Sequence, residues 1–128
     1  MSILIPGSPG ELLDKISILE IKLERIPDQS KQANVAKELD ALRVVRAAQI
    51  PDTPETLELS EALKAVNMAL WDIEDAIRDH EHQQCFDEAF IQLARSVYIT
   101  NDRRARLKRQ INDLLRAEII EEKSYHAY

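Results

Sequence analysis

Apolar residues recur at helical spacing along nearly the whole chain. Leu12, Ile16, Leu19, Leu23 and Ile26 follow at intervals of 4, 3, 4 and 3, which places them on one stripe of a helix. Ser8, Pro9 and Glu11 have the layout of its start: a capping hydroxyl, a Pro at the first helical position, and a Glu placed to close a capping box. Pro27 ends the helix. Ile18 and Ile21 widen its apolar surface beyond one stripe, so this first helix is predicted to be central and to pack against more than one neighbour. A second helix is predicted from about Asp28 or Ser30 to Gln49, with Val35, Leu39 and Leu42 turned inward. It stops before Pro51, because the residue preceding a Pro avoids helical dihedrals. Its stripe is the weakest of the four. Thr53-Pro54 repeats the cap-then-Pro signal, and Leu59, Leu63, Val66, Leu70, Ile73 and Ile77 carry a third helix to about His82.

After a turn at Gln83 to Cys85, Phe86, Phe90, Leu93 and Val97 begin a fourth periodic segment, which resumes at Leu107, Ile111 and Leu114. Between them the stripe falls on Thr100 and Arg104. Two arrangements meet this interruption. In one, the helix breaks at Thr100-Asn101-Asp102, good capping residues, and a new N-terminus offers free N–H groups to an anion beside Arg103 and Arg104. In the other, helices three and four each run for about 30 residues, roughly 45 Å, a length that often pairs between chains as in a coiled coil. Ile3-Leu4-Ile5 before Pro6-Gly7 reads as a short extended N-terminal arm packed on the body, and Glu118 to Tyr128 as a tail that folds back. Together these elements define one all-α domain over residues 1–128, an antiparallel four-helix bundle with two long C-terminal helices.

Composition narrows the chemistry. Two Gly in 128 residues exclude phosphate-binding loops, which need residues that tolerate φ > 0 and close backbone approach. The single Cys85 rules out an internal disulfide. A net charge of −6 argues against nucleic acid and anionic membranes as partners, and no apolar run approaches the roughly 20 residues that cross a bilayer. The opening Met-Ser-Ile-Leu-Ile has no basic segment ahead of an apolar one, so the chain is expected to be cytoplasmic. The charge is unevenly placed. Residues 53–82 hold eight acids against Lys64 and Arg78, whereas residues 103–109 carry five basic side chains and no acid. Either two neighbouring helices have complementary charge, or the basic run is an anion-binding surface.

Candidate site residues are the polar side chains one position off the apolar stripes, which point about 100° away and meet the helix interfaces. Trp71, Glu74 and Arg78 share a face with Asn67 and Glu81 on the third helix; Lys15 and Lys22 flank the stripe of the first with Glu11; Tyr98, Asn101 and Lys108 do so on the fourth with Asn112, while Arg104 lies in its stripe. Packed together, Lys15, Lys22, Trp71, Glu74, Arg78, Tyr98, Asn101, Arg104 and Lys108 would line one polar groove. Buried charges are costly unless paired, so this set reads as a ligand site or as a structural network of ion pairs. Asp75, Asp79 and His82 share a face, yet a solvated acidic face explains them, and neither a metal nor a cofactor is expected. Glu58-x-x-Glu61 and Asp72-x-x-Asp75 faintly resemble the acidic pairs of all-α nucleotide pyrophosphohydrolases, but both fall on one helix where those enzymes use two. Cys85 has His80 and His82 in the same turn region and no orienting third group, so it reads as a plain, partly buried thiol.

The segments 6–22, 70–78 (Leu-Trp-Asp-Ile-Glu-Asp-Ala-Ile-Arg), 94–105 (Ala-Arg-Ser-Val-Tyr-Ile-Thr-Asn-Asp-Arg-Arg-Ala) and 121–125 resemble an uncharacterised family of small bacterial all-α domains. The resemblance implies a link to cell-surface glycan assembly. It also implies signature residues Glu11, Asp14, Lys15, Lys22, Trp71, Glu74, Asp75, Arg78, Tyr98, Asn101, Asp102, Lys108 and Lys123, many of them on the groove edges. A looser likeness to all-helical chorismate mutases is one of architecture alone.

Three functions are open on this reading. The first is a binding module, a homodimer holding an anionic small molecule such as a sugar phosphate or nucleotide sugar. Lys15, Lys22, Arg78, Arg104 and Lys108 would bind charge, Glu74 would orient Arg78, Trp71 and Tyr98 would give flat contacts, and Asn101 would read hydroxyls. The second is an enzyme acting in the same groove by electrostatic preorganisation, as in the chorismate mutases, or with Glu74 or Asp75 as acid or base. The third is a helical protein–protein interaction or dimerisation module.

Overall fold

A computed structural model describes residues 1–117 and 121–128. Four helices follow in order: α1 (Pro9–Arg25), α2 (Gln29–Gln49), α3 (Pro54–Gln83) and α4 (Glu88–Leu114). No strand occurs among the described residues. The starts lie where capping chemistry places them. Ser8 Oγ accepts from the Glu11 N–H, Asp28 from Lys31, Thr53 from Thr56 and Asp87 from Phe90, with Pro9 and Pro54 in the first turns. Only half of the expected capping box forms at α1, because the Glu11 carboxylate is turned to Lys108.

Helix α1 touches all three others, whereas α2 packs on α1 alone. Two apolar clusters explain this. Leu13, Leu63 and Ile111 join α1 to α3 and α4, with Ile50, the residue that follows α2, while Ile16, Leu19 and Leu39 join α1 to α2. The weak stripe of α2 yields one buried residue, Leu39. On α3 and α4, full burial is confined to Thr56–Asn67 and Thr100–Asn112. The other ends meet where His80 of α3 lies 6.1 Å from Phe90 of α4, centroid to centroid, and Phe86, just before α4, stands edge to face with Phe90 at 5.1 Å. Phe86, expected in the core, is half exposed there.

Three expectations are corrected or decided. Helix α4 runs without a break through Thr100, Asn101 and Asp102, so no anion site arises from a new helix start. The N-terminal arm does not pack on the body: Ile3, Leu4 and Ile5 are exposed, because the Pro6-Gly7 lead-in carries the chain away from both clusters. The acidic part of α3 does not neutralise the basic run of α4. Arg103, Arg106, Leu107 and Gln110 lie opposite Ala62, Ala65, Val66 and Ala69, while acidic Asp72 lies beside α1 and bonds Arg25. Of the cations at 103–109, Arg104, Lys108 and Arg109 find partners on α1, on α4 itself and in the tail.

Candidate functional site

The charged centre of the molecule is built on Asp14, which is 1% exposed. Gly10, Asp14, Ser17 and Ile21 form a second stripe on α1 at spacings of 4, 3 and 4, facing α3 and α4. Arg104 meets the carboxylate as a fork: its Nε donates to Asp14 Oδ1 at 2.9 Å and its Nη2 to Oδ2. Asn67 of α3 donates to the same Oδ1 at 2.9 Å and to Ser17 Oγ at 2.8 Å, and Ser17 donates to the Asp14 carbonyl. Three helices therefore converge on one buried carboxylate, and among the described residues no buried polar side chain lacks a partner. The hydrogen bond to Asp14 raises the Arg104 guanidinium further above its ordinary value, against the opposing effect of burial. Arg104 thus spends its fork on the fold.

One turn further along α4, the Lys108 side chain is 9% exposed, and its ammonium lies 2.9 Å from Glu11 Oε2 and 2.6 Å from Glu121 Oε2 of the tail. Burial disfavours its charge, but the bonds to Glu121 and Glu11 outweigh that, and the ammonium titrates above the ordinary lysine value. A raised lysine pKa contributes stability below the unfolded-state value that is lost as pH rises through the folded-state value, so these contacts persist at neutral pH. The α1 backbone comes close here too. The Gly10 N–H donates to Asn112 Oδ1 at 2.8 Å, and a Cβ on Gly10 would stand 2.6 Å from the Lys108 carbonyl oxygen.

The described tail, residues 121–128, lies along α4, as the folded-back extension required; residues 118–120 of that expectation fall outside the described residues. Lys123 Nζ bonds Asp102 Oδ1 at 3.0 Å, and the Tyr128 and Tyr98 rings lie 5.1 Å apart. Between the tail and α4 is an open groove of about 860 Å³, lined among others by Tyr98, Asn101, Asp102, Arg104, Lys108 and Tyr125. The Lys123 hydrogen bond holds the Asp102 carboxyl below the ordinary carboxylate value, despite partial desolvation, with Tyr128 adding to the effect. A lowered carboxylate pKa contributes stability above the unfolded-state value that is lost as pH falls through the folded-state one, so the tail anchor is expected to release only in acid. A carbon-detected NMR titration should place Asp102 below its ordinary range in the native chain and back within it in Lys123→Ala.

The nine residues expected around one groove are divided. Tyr98, Asn101, Arg104 and Lys108 line the groove under the tail. Trp71, Glu74 and Arg78 line a smaller cavity of about 380 Å³ between α1 and α3, which Arg104 also reaches. Arg78 lies 3.7 Å from Glu74, the expected pair one turn apart. Lys15 is in neither, because Asp14 takes the inward position and Lys15, about 100° round, faces Glu38 of α2 at 3.6 Å. Lys22 also lines neither cavity. Reading from the stripes alone missed Gly10 and Ser17, set Asn67 and Asn112 on interface faces without their partners, and left Asp14 as a signature residue without a partner. Cys85 is half-buried, and its hydrogen bond to Asp87 raises the thiol above its ordinary value, so it is not an activated nucleophile.

Fold and site define a small all-helical domain with a polar, tail-covered groove beside a buried ion-pair centre. Residues 3–128 match the model of the Family of unknown function (DUF6165), and the chain belongs to that family. No curated protein and no solved structure matches it. Among the described residues no helix is long and apolar enough to cross a membrane.

Proposed function

We propose that this protein is a binding module whose groove between α4 and the C-terminal segment takes an anionic small molecule, of the sugar phosphate or nucleotide sugar class. The observation that carries this reading is the Lys108 ammonium. It sits almost buried against the groove and is held there by the carboxylate of Glu121, a residue of the tail rather than of the helices. Glu121 occupies the position on Lys108 that a ligand phosphate or carboxylate would take, with Tyr98 and Asn101 beside it for a sugar or base. In this reading Glu11 keeps its own bond to Lys108, the ligand displaces Glu121, and Arg104 holds Asp14 rather than ligand. The residue set serves recognition and names no acid, base or nucleophile, so binding is favoured over turnover. We read the helices as an antiparallel bundle, the setting as cytoplasmic and the role as accessory to glycan assembly, in line with the resemblance of the sequence.

Thermal shift against nucleotide sugars, sugar phosphates and simple carboxylates tests this. Ligand at about 100 times its Kd should add roughly 2.7 kcal/mol of stability. The shift should vanish in Lys108→Gln, and Glu121→Gln should bind about fivefold tighter, since a partly exposed competing ion pair is worth about 1 kcal/mol. If Lys108→Gln, still folded by circular dichroism, keeps the shift, the reading fails. A second reading, self-association, is favoured by Ile91, Tyr98 and Ile99, whose side chains are exposed on α4 beyond the buried part of the helix. Sedimentation that gives a dimer, lost when Ile91 and Ile99 become Lys, would support it.

A further inference from the structure

At the turn between α3 and α4, far along both helices from the groove, three side chains of different chemistry meet. One ligand atom from each of His80, Cys85 and Asp87 lies within 4.8 Å of the others. The local chain path brings them together. Gln84 takes a left-handed conformation at φ 53°, which ends α3, and the Cys85 N–H donates back to the His80 carbonyl at 3.0 Å. Cys85 is thereby folded under the last turn, and Asp87 follows as the N-cap of α4. The imidazole is half-buried, with its centroid 6.1 Å from that of Phe90, so it is held in place by packing as well as by hydrogen bonds. His80 Nδ1 stands 3.7 Å from Asp87 Oδ1. Two ligands at 2.0–2.2 Å on a tetrahedral ion are about 3.4 Å apart, so little movement closes the pair on a metal.

We infer that His80, Cys85 and Asp87 form a binding site for a divalent transition metal of the zinc class at the α3–α4 turn. Thiolate, imidazole and carboxylate together select zinc-like ions over magnesium or calcium, which prefer oxygen ligands alone. On binding, the Cys85 thiol loses its proton to solvent, and thiolate and carboxylate balance the two charges of the ion. The Nδ1 of a neutral His80 gives up its contact with the Cys85 carbonyl, seen at 2.9 Å, and its ring proton moves to Nε2. Asp87 Oδ1 has two lone pairs, so it can ligate through one while the other keeps the Phe90 N–H, seen at 3.1 Å. Three protein ligands leave a fourth position open to water. The site ties the end of α3 to the start of α4, and differs in place and residues from the Asp75, Asp79 and His82 face considered from spacing.

Cobalt(II) is the probe, because a cobalt–thiolate bond gives a near-ultraviolet charge-transfer band that carboxylates do not. Titration of the full chain under reducing conditions should develop this band to a limit of one ion per chain, and zinc(II) should bleach it. Cys85→Ser should abolish the band, and His80→Gln should weaken binding at least tenfold. Asp87→Asn should also weaken it while preserving the helix start, since Asn caps as well as Asp. Circular dichroism establishes that each variant is folded. Absence of the band in the folded wild-type chain overturns the site. So does a band unchanged in His80→Gln, which would mean binding by the thiol without its neighbours. A limit of one ion per two chains overturns it as well, by assigning the metal to a bridge between molecules.

Discussion

Replacing Arg104 with Ala is expected to cost about 3 kcal/mol of stability, more than any other single change to a charged residue in this chain. The physical reason is the partner it leaves behind. Asp14 is 1% exposed, and without the guanidinium fork it keeps only the Asn67 amide against a buried negative charge. Stranding one half of a buried pair typically costs about 3–5 kcal/mol. The low end applies because the Arg104 side chain is 30% exposed and water can enter where it stood. For a chain of this size that lowers Tm by about 10 °C. Arg104→Lys retains the charge but not the two-pronged geometry, and should lose about 1–2 kcal/mol. Changing both partners to apolar residues, Asp14→Leu with Arg104→Met, should recover much of the loss, since no charge is then left buried. Urea unfolding measures all three; a loss below about 1 kcal/mol in Arg104→Ala would show that Asp14 does not depend on the pair.

Gly10→Ala is the second large effect, about 2 kcal/mol destabilising, although Ala is the better helix former by up to about 1 kcal/mol. A Cβ at this position would lie 2.6 Å from the Lys108 carbonyl oxygen and 2.8 Å from Asn112 Oδ1. The first neighbour is backbone and cannot swing aside, so α1 and α4 must separate or the helix start must shift, and forced overpacking costs about 1–3 kcal/mol. Separation at this point also draws Lys108 away from Glu11, which couples the clash to the groove. Gly7→Ala is the control, with nothing within 4 Å of its Cβ, and should be near neutral. Denaturation of the two variants side by side checks this, and equal stability would contradict the close approach.

Both effects arise on the stripe that was hardest to read. The starts of the first three helices were legible because Ser8, Asp28, Thr53 and the prolines that follow two of them are local signals, and local geometry obeys them, whereas the fourth was read from its apolar period alone and its Asp87 cap was not. The centrality of α1 was legible for a similar reason, since Ile18 and Ile21 add a second face to its first stripe. The partner of that face was not, because Gly10, Asp14 and Ser17 are not apolar and do not announce a core. The gap at Thr100 and Arg104 in α4 is the other half of the same feature: the apolar seam stops where the Asp14 centre begins. Read separately, the two irregularities suggest a helix break and a ligand cation; read together, they are one buried ion pair.

The groove was legible in part for the same physical reason. Tyr98, Asn101, Arg104 and Lys108 share one helix, so their spacing alone places them on one side. Lys15 and Lys22 had to be brought in from α1, and the rotation of α1 about its axis is set by Asp14, which turns Lys15 to Glu38 and α2. The tail contributes Glu121, Lys123 and Tyr128 through contacts distant in sequence, for which no periodicity exists.

An anionic ligand is expected to take the place of Glu121 on Lys108. Nitrogen-edited NMR of the full chain, titrated with glucose 1-phosphate and with UDP-glucose, tests it most directly. Saturable shifts are expected at Lys108, Tyr98 and Asn101 for at least one of the two, with the resonances of residues 121–128 moving toward their positions in a free peptide as the tail is displaced. Saturation that leaves the tail resonances in place, or no saturable change in the groove with either compound, would contradict it.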